Sequence, residues 1–319
     1  MAVAYVDWRK VEAARLGAIY AAEIRRWSDR LGWDTASSWD HIELGRRLGT
    51  VSGLCALDAR GDIVGLTFYL LHGDVLQVGG FTAATEDITM ALLDGILASD
   101  SARRARSVTL FAFTDAPGLA RALSRRGLTV VGYDYMVRPL VVEAGGPWDC
   151  LRPWRADEAA AVAKLLAAAY PVADRGRPFA PGGTAREWDE YVGQILNAAG
   201  CGAIMPEACL VAASGSGSIT GVILVTRLAA ATGHVAQIAV DPAAERRGAG
   251  RLLLDAACAT ARKMGCDQMT LLVDERNVRA RGLYQRAGFR AVAGFTSAGS
   301  DQPVRLTSVA AGGMAVTRL

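Results

Sequence analysis

Between Gly233 and Gly265 the chain reads strand, glycine-rich turn, helix, an order that demands a sheet with a helix launched from the end of one strand. Gly233-His-Val-Ala-Gln-Ile-Ala-Val240 is apolar and β-rich, and Asp241-Pro242 ends it because proline supplies no ladder donor. From Gly250 to Met264 apolar residues recur at helical spacing, with Lys263 in the last turn and Gly265 as the stop. The intervening Glu245-Arg-Arg-Gly-Ala-Gly-Arg251 sets unpaired backbone N–H groups and the positive end of a helix dipole beside Gly248 and Gly250, where phosphate oxygens can approach closely. Arg246, Arg247 and Arg251 add charge, and a guanidinium grips phosphate through two parallel bonds. A solvated basic turn ahead of an ordinary helix is the competing reading.

A second strand follows at Gln268-Met-Thr-Leu-Leu-Val273, and Asp-Glu-Arg-Asn277 leads into a helix from Val278 to Ala287, stopped by Gly288 and followed by Phe289. This order resembles the GCN5-related N-acetyltransferase (GNAT) superfamily. The family's Gln/Arg-x-x-Gly-x-Gly/Ala motif matches Glu245-Arg-Arg-Gly-Ala-Gly250 except at Glu245, and its Asn-x-x-Ala-x-x-x-Tyr with a following Gly-Phe matches Asn277, Ala280, Tyr284, Gly288 and Phe289. The resemblance covers roughly residues 151 to 295.

It implies an α/β (α+β) fold whose central sheet is mixed, mostly antiparallel and flanked by helices, and an acyl-CoA-dependent N-acyltransferase using acetyl-CoA, without a metal. It places the CoA pyrophosphate against Arg246, Arg247, Gly248, Ala249, Gly250 and Arg251. The acyl carbonyl faces backbone N–H groups of Ile238, Ala239 and Val240, where the family's strand splays from its neighbour. Tyr284 is the general acid by the same resemblance, or a tyrosine packed on the cofactor. Asn277 holds the pantetheine arm, caps the helix, or does both. The acceptor is a small-molecule or peptide amine. A non-catalytic acyl-CoA-binding module and a partner-binding scaffold are the alternatives.

At 319 residues the chain exceeds one typical domain. An echo divides it: Gly61-Asp-Ile-Val-Gly65 resembles Gly217-Ser-Ile-Thr-Gly221, and Leu123-Ser-Arg-Arg-Gly-Leu128 resembles Tyr284-Gln-Arg-Ala-Gly-Phe289, the latter 161 residues apart. At that offset Gly248, Gly250, Asn277 and Tyr284 fall on Asp87, Thr89, Ala116 and Leu123. We therefore expect two GNAT-like domains, a degenerate one over 1–145 and a catalytic one over 146–319, joined near a Gly/Pro stretch at 142–148. A first strand at Leu151-Arg-Pro-Trp-Arg155 and an Ala-rich helix from Ala156 to Tyr170 open the second.

A net charge of +3 is too small to argue for nucleic acid. No stretch is apolar enough for a membrane helix and the N-terminus lacks a signal-peptide pattern, so the expectation is a cytoplasmic protein. Six cysteines without a Cys-x-x-Cys pair, and three histidines, indicate neither a disulfide framework nor zinc. Oligomeric state is not legible here.

For a general base the candidates are His234, Glu275 and Glu207, or a water chain to a distant carboxylate; Gln237 cannot titrate. By resemblance the acceptor pocket spans roughly 170–200. There a Pro/Gly-rich loop at 171–184 precedes a segment whose Glu187, Asp189 and Glu190 either attract a cationic amine or form a solvated helix face. Trp27, Trp33, Trp39 and His41 either line an interdomain cleft or anchor a core. Leu224 and Ile238 are candidates to shape an acyl pocket.

Overall fold

The computed structural model describes residues 3–113, 116–142, 150–170, 180, 182–197, 202–215 and 217–300. The first half runs β1 (Ala4–Asp7), α1 (Ala13–Leu31), α2 (Ala36–Leu48), β2 (Ser52–Leu57), β3 (Ile63–His72), β4 (Val75–Ala83), α3 (Glu86–Leu97), the short α4 (Asp100–Arg104), β5 (Ser107–Phe113), α5 (Leu119–Arg125) and β6 (Thr129–Pro139). The second runs β7 (Leu151–Pro153), α6 (Ala159–Ala169), α7 (Ala185–Leu196), β8 (Ala203–Ile204), β9 (Leu210–Ala213), β10 (Ile219–Ala229), β11 (Thr232–Val240), α8 (Ala249–Lys263), β12 (Gln268–Asp274), α9 (Val278–Arg286) and β13 (Arg290–Ser300). Setting aside α4 and the two-residue β8, one order of strands and helices is used twice.

Local chemistry sets these boundaries. Thr85 caps α3 by accepting from the Ile88 N–H, and Thr184 and Glu187 form a reciprocal capping box at α7. Left-handed glycines stop helices where the sequence places them: Gly32 after α1, Gly265 after α8 and Gly288 after α9 have φ of +62°, +89° and +87°. The Ala-rich helix expected from Ala156 opens instead with a 3-10 turn, Ala156–Glu158, before α6.

Among the described residues all strands join one 13-stranded sheet in the order β1-β2-β3-β4-β5-β13-β6-β12-β11-β10-β9-β7, with β8 beside β10. The last strand of each half has crossed over. β6 pairs antiparallel with β12 from Tyr133↔Asp274 to Pro139↔Gln268, and β13 pairs antiparallel with β5, Thr296 opposite Ala112. The two exchanged strands meet each other, Tyr133 opposite Phe295, so the exchange is reciprocal. The expected boundary at 145/146 lies outside the described residues, and one sheet takes in strands from both sides of it.

Three apolar clusters fill the two halves, and a fourth seals the crossing with Leu31, Val131, Tyr133, Tyr135, Val137 and Phe295. Trp27 and Trp33 pack on this fourth cluster, Trp27 edge-on to Phe295 at 5.6 Å, which makes them interface anchors. Trp39 stacks on Tyr20 at 4.7 Å within the first half, and exposed His41 bonds the Ser37 carbonyl of its own helix. Cys55, Cys209, Cys258 and Cys266 are buried and Cys150 is exposed, none of them in a disulfide among the described residues; Cys201 lies outside the described residues. Among the described residues no helix is long and apolar enough to cross a membrane.

Candidate active site

β11 and β12 run parallel but pair only from Thr232↔Gln268 to Val235↔Leu271. Beyond Val235 they part: β11 stays on β10 as far as Val240↔Gly221, and β12 follows β6. One edge of β11 is thereby left open. Strand alternation decides which backbone groups reach the gap. The Asp241 N–H donates to the Thr220 carbonyl on the β10 side at 2.8 Å, so Ala239 also faces β10. The carbonyls of Ile238 and Ala236 face the other way, accepting the Tyr170 hydroxyl at 2.8 Å and the Tyr191 hydroxyl at 3.4 Å. Of the three amides expected to meet an acyl oxygen, Ile238 and Val240 point into the gap and Ala239 is turned from it.

The gap opens into a cleft of ≈ 430 Å³ lined by Ile238 to Val240, the 244–251 turn and the inner face of α9. The Asp241 carboxylate accepts the Ala243 N–H at 2.8 Å and fixes the exit from β11. Arg246 and Gly248 are both left-handed, with φ of +61° and +84°. For Arg246 that conformation costs on the order of 1 kcal/mol, strain of the kind that collects at ligand-binding turns. A Cβ on Gly250 would meet only Val240 at 3.6 Å and Leu283 at 3.7 Å, ordinary contacts, so internal packing does not demand glycine there. The open face of that position belongs to the cleft.

The expected cations divide. Arg246 lines the cleft and has no ion-pair partner among the described residues. Arg247, expected at the phosphates, is exposed and is not among the lining residues. Arg251 lines the cleft and is held by the Asp255 carboxylate at 2.6 Å and the Arg286 carbonyl at 3.1 Å. Glu245, the departure from the family motif, forms an ion pair with Arg279 of α9 across the mouth.

On the floor Tyr284 is 6% exposed. Burial, and secondarily the neighbouring Tyr170 phenol, push its pKa above the ordinary 10.0, so it carries its proton at neutral pH. Its hydroxyl makes no hydrogen bond to another described residue. Asn277 is the N-cap of α9, its Oδ1 accepting the Ala280 N–H at 3.0 Å, which leaves its amide nitrogen without a partner among the described residues. Tyr170, at the end of α6, lines the same cleft and was not singled out from sequence; only its place before Pro171 marks it there.

The candidate bases fall elsewhere. His234 is buried where the two halves meet, bonded to Thr270 at 2.9 Å and stacked near Trp33 and Tyr135, with desolvation lowering its pKa to about 4. It is a neutral structural imidazole. Glu275 and Glu207 are exposed and outside the cleft. Glu187 is consumed by its capping box and Glu190 by Arg186, so the acids of α7 behave as a helix face. Most of the 171–184 loop lies outside the described residues. Of the two acyl-pocket candidates, Ile238 lines the cleft and Leu224 is buried in the core.

The first half has a comparable gap, because β4 and β5 pair in parallel only from Val75↔Ser107 to Val78↔Leu110. Two residues, Ala84 and Thr85, link β4 to α3, where eight, 241–248, link β11 to α8. The carboxylate of Glu86 lies against Gly118 and pairs with Arg121 at 3.0 Å, and the Phe68 ring covers Gly79 and Gly80. Acid at a helix start repels phosphate.

Residues 163–289 match the model of the Acetyltransferase (GNAT) family, a span that includes every lining residue of the cleft. A segment of 64 residues is 47% identical to the mycothiol acetyltransferase of Beutenbergia cavernae, covering 20% of this chain and 22% of that protein. Another comparison gives 37% identity over 73 residues to the mycothiol acetyltransferase of Propionibacterium freudenreichii subsp. shermanii, 23% of each chain. The similarity thus spans less than a quarter of the length of these curated relatives. Among solved structures, a GCN5-related N-acetyltransferase from Sphaerobacter thermophilus superposes with a TM-score of 0.56 at 19% identity, over 79% of this chain and 81% of that one. A tandem GNAT protein from the clavulanic acid biosynthesis pathway gives 0.52 at 14% identity, over 78% and 82%. At such identities the likeness is one of fold.

Proposed function

We propose that the protein, whose residues 163–289 match the Acetyltransferase (GNAT) family model, is an acyl-CoA-dependent N-acyltransferase that moves acetyl from acetyl-CoA to a primary amine. The chemistry belongs to the second half, and the first half is a GNAT-like unit without a cofactor cradle. The carrying observation is that one cleft collects the gap-facing amides of Ile238 and Val240, the Gly248 turn and the buried phenol of Tyr284.

The residues fit such a ligand: a left-handed Gly248 with open space around it, an uncrowded Gly250, an Arg246 with no ion-pair partner among the described residues and the start of α8 suit a diphosphate. Bound acetyl-CoA supplies a thioester. The Ile238 and Val240 amides, preorganised by β10, would stabilise negative charge on its oxygen. The amine lone pair forms the C–N bond, the C–S bond breaks, and Tyr284 gives its proton to the departing sulfur. Burial raises the phenol's pKa, and the same desolvation makes the thiolate more basic, so the transfer stays matched. The amine's surplus proton leaves to water, from which Tyr284 is reprotonated. Among the described lining residues Glu245 is the one carboxylate, and its pairing with Arg279 favours water over a side-chain base.

The test is titration of CoA and acetyl-CoA into wild type and Gly248→Val, followed by thiol release with an amine panel. The names of the curated relatives make mycothiol-related amines the first acceptors to try. One site per chain is expected, weakened about tenfold or more in the variant, because an L side chain in the left-handed region costs ~1–2 kcal/mol. Equal affinities would remove the cradle from the account. Binding without turnover on any amine would favour the non-catalytic module.

A further inference from the structure

We infer that Tyr170 is a specificity-determining residue whose ring closes the inner end of the cleft against acyl groups longer than acetyl. The inference rests on the function proposed above. β11 and β12 part after Val235, yet the cleft follows β11 no further inward than Ile238. Over that stretch the open edge of β11 is met by side chains from the helices of the second half. The Tyr191 hydroxyl of α7 donates to the Ala236 carbonyl at 3.4 Å, and the hydroxyl of Tyr170, just past α6, donates to the Ile238 carbonyl at 2.8 Å. Trp188, fully buried in α7, joins them, its ring 5.3 Å from that of Tyr170 and 5.8 Å from that of Tyr191. Of these three aromatic residues, Tyr170 is the one that lines the cleft.

The order of groups along the cleft puts the acyl tip at this end. Along β11 the 244–251 turn, which suits the diphosphate, lies past Val240, and Tyr170 sits at Ile238. A cofactor held by its diphosphate at the turn runs inward along the strand, with the sulfur after the pantetheine arm and the acyl group last. Tyr284, which gives its proton to that sulfur, has the Tyr170 phenol as its neighbour, so what lies past the sulfur meets the Tyr170 ring. Two contacts keep the ring there: the bond from its hydroxyl to a carbonyl of β11, a strand itself paired with β10, and the Trp188 ring beside it. A ring held in this way does not swing aside, and added methylenes would have to displace packed side chains.

The experiment measures dissociation constants of acetyl-, butyryl- and hexanoyl-CoA by calorimetry for wild type, Tyr170→Phe, Tyr170→Leu and Tyr170→Ala, with thermal unfolding of each. Wild type should bind butyryl-CoA at least about tenfold more weakly than acetyl-CoA. Tyr170→Phe keeps the ring and should keep that ratio within about threefold. Tyr170→Ala should reverse the ratio, because each methylene that enters the vacated space gains about fourfold in affinity. Its acetyl-CoA affinity should stay within about threefold of wild type, since the turn at Gly248 is untouched. Tyr170→Leu keeps an apolar side chain and reads the same shift, smaller, should the alanine variant fail to fold. An acetyl-to-butyryl ratio unchanged in Tyr170→Leu and Tyr170→Ala overturns the inference while leaving the cofactor assignment standing. So does a uniform loss across all three ligands, the mark of packing damage, or a wild type that binds hexanoyl-CoA as tightly as acetyl-CoA. Failure of wild type to bind any of the three overturns the assignment, and the inference with it.

Discussion

Replacing Tyr284 by Phe removes one oxygen from the floor of the cleft and leaves the ring where it packs, 6.0 Å from Phe289 and almost wholly buried. The hydroxyl has no hydrogen-bond partner among the described residues, so its loss strands no buried donor or acceptor and should change stability by less than about 0.5 kcal/mol. The kinetic effect should be far larger. A positioned general acid contributes about 10²–10⁴-fold, so kcat should fall at least roughly 100-fold, ~3 kcal/mol in the barrier. KM for acetyl-CoA should hold, because the cradle and the β11 edge are untouched. Steady-state thiol release across pH 6–11, beside thermal unfolding of the same preparation, reads both effects. Since the phenol's pKa lies above 10.0, wild-type turnover should show no alkaline loss from this group at neutral or mildly basic pH. A kcat within twofold of wild type would refute the role of Tyr284, and a matching drop in thermal midpoint would reassign it to packing.

Other consequences are as direct. Glu245→Gln removes a carboxylate from the mouth of the cleft and frees Arg279, so CoA affinity should rise about threefold at low salt; a fall would show that the ion pair holds the turn in shape. Gly32→Ala should destabilise by about 2–3 kcal/mol in chemical denaturation, from left-handed strain plus the loss of the Gln268–Thr232 bond. The structural cause is a Cβ 2.2 Å from Gln268 Nε2 and 2.9 Å from Thr232 Oγ1, and unchanged stability would contradict this docking of α1. His234, with its pKa lowered from 6.5 to about 4, contributes stability present above pH 6.5 and lost as pH falls toward 4. The loss amounts to at most about 3 kcal/mol, and His234→Gln should flatten that slope; parallel slopes would count against it.

The site's local parts were legible because each depends on neighbours in sequence. Pro242, Gly248 and Gly265 punctuate strand, turn and helix through their own backbone preferences, and Asn277 caps α9 through a bond three residues away. The mixed, mostly antiparallel sheet flanked by helices was expected from the family resemblance that the motifs carry. Charge and environment were not legible. His234 looked titratable, but Trp33 and Tyr135, distant in sequence, enclose it. That Arg251 is held by Asp255, one helical turn on, and by the Arg286 carbonyl shows only in the fold. Ala239 sits between two gap-facing amides and faces the other way, which depends on strand pairing.

The 161-residue echo placed β6 and β13 at equivalent positions without disclosing that they change places. Propensity, capping and turn chemistry act over a few residues, so the sequence by itself determined which segments become strands and helices and where the glycine turn stands. Partner choice among strands of similar apolar pattern is decided by long-range burial. Only the tertiary structure could carry β6 to the second half and close both halves around one sheet.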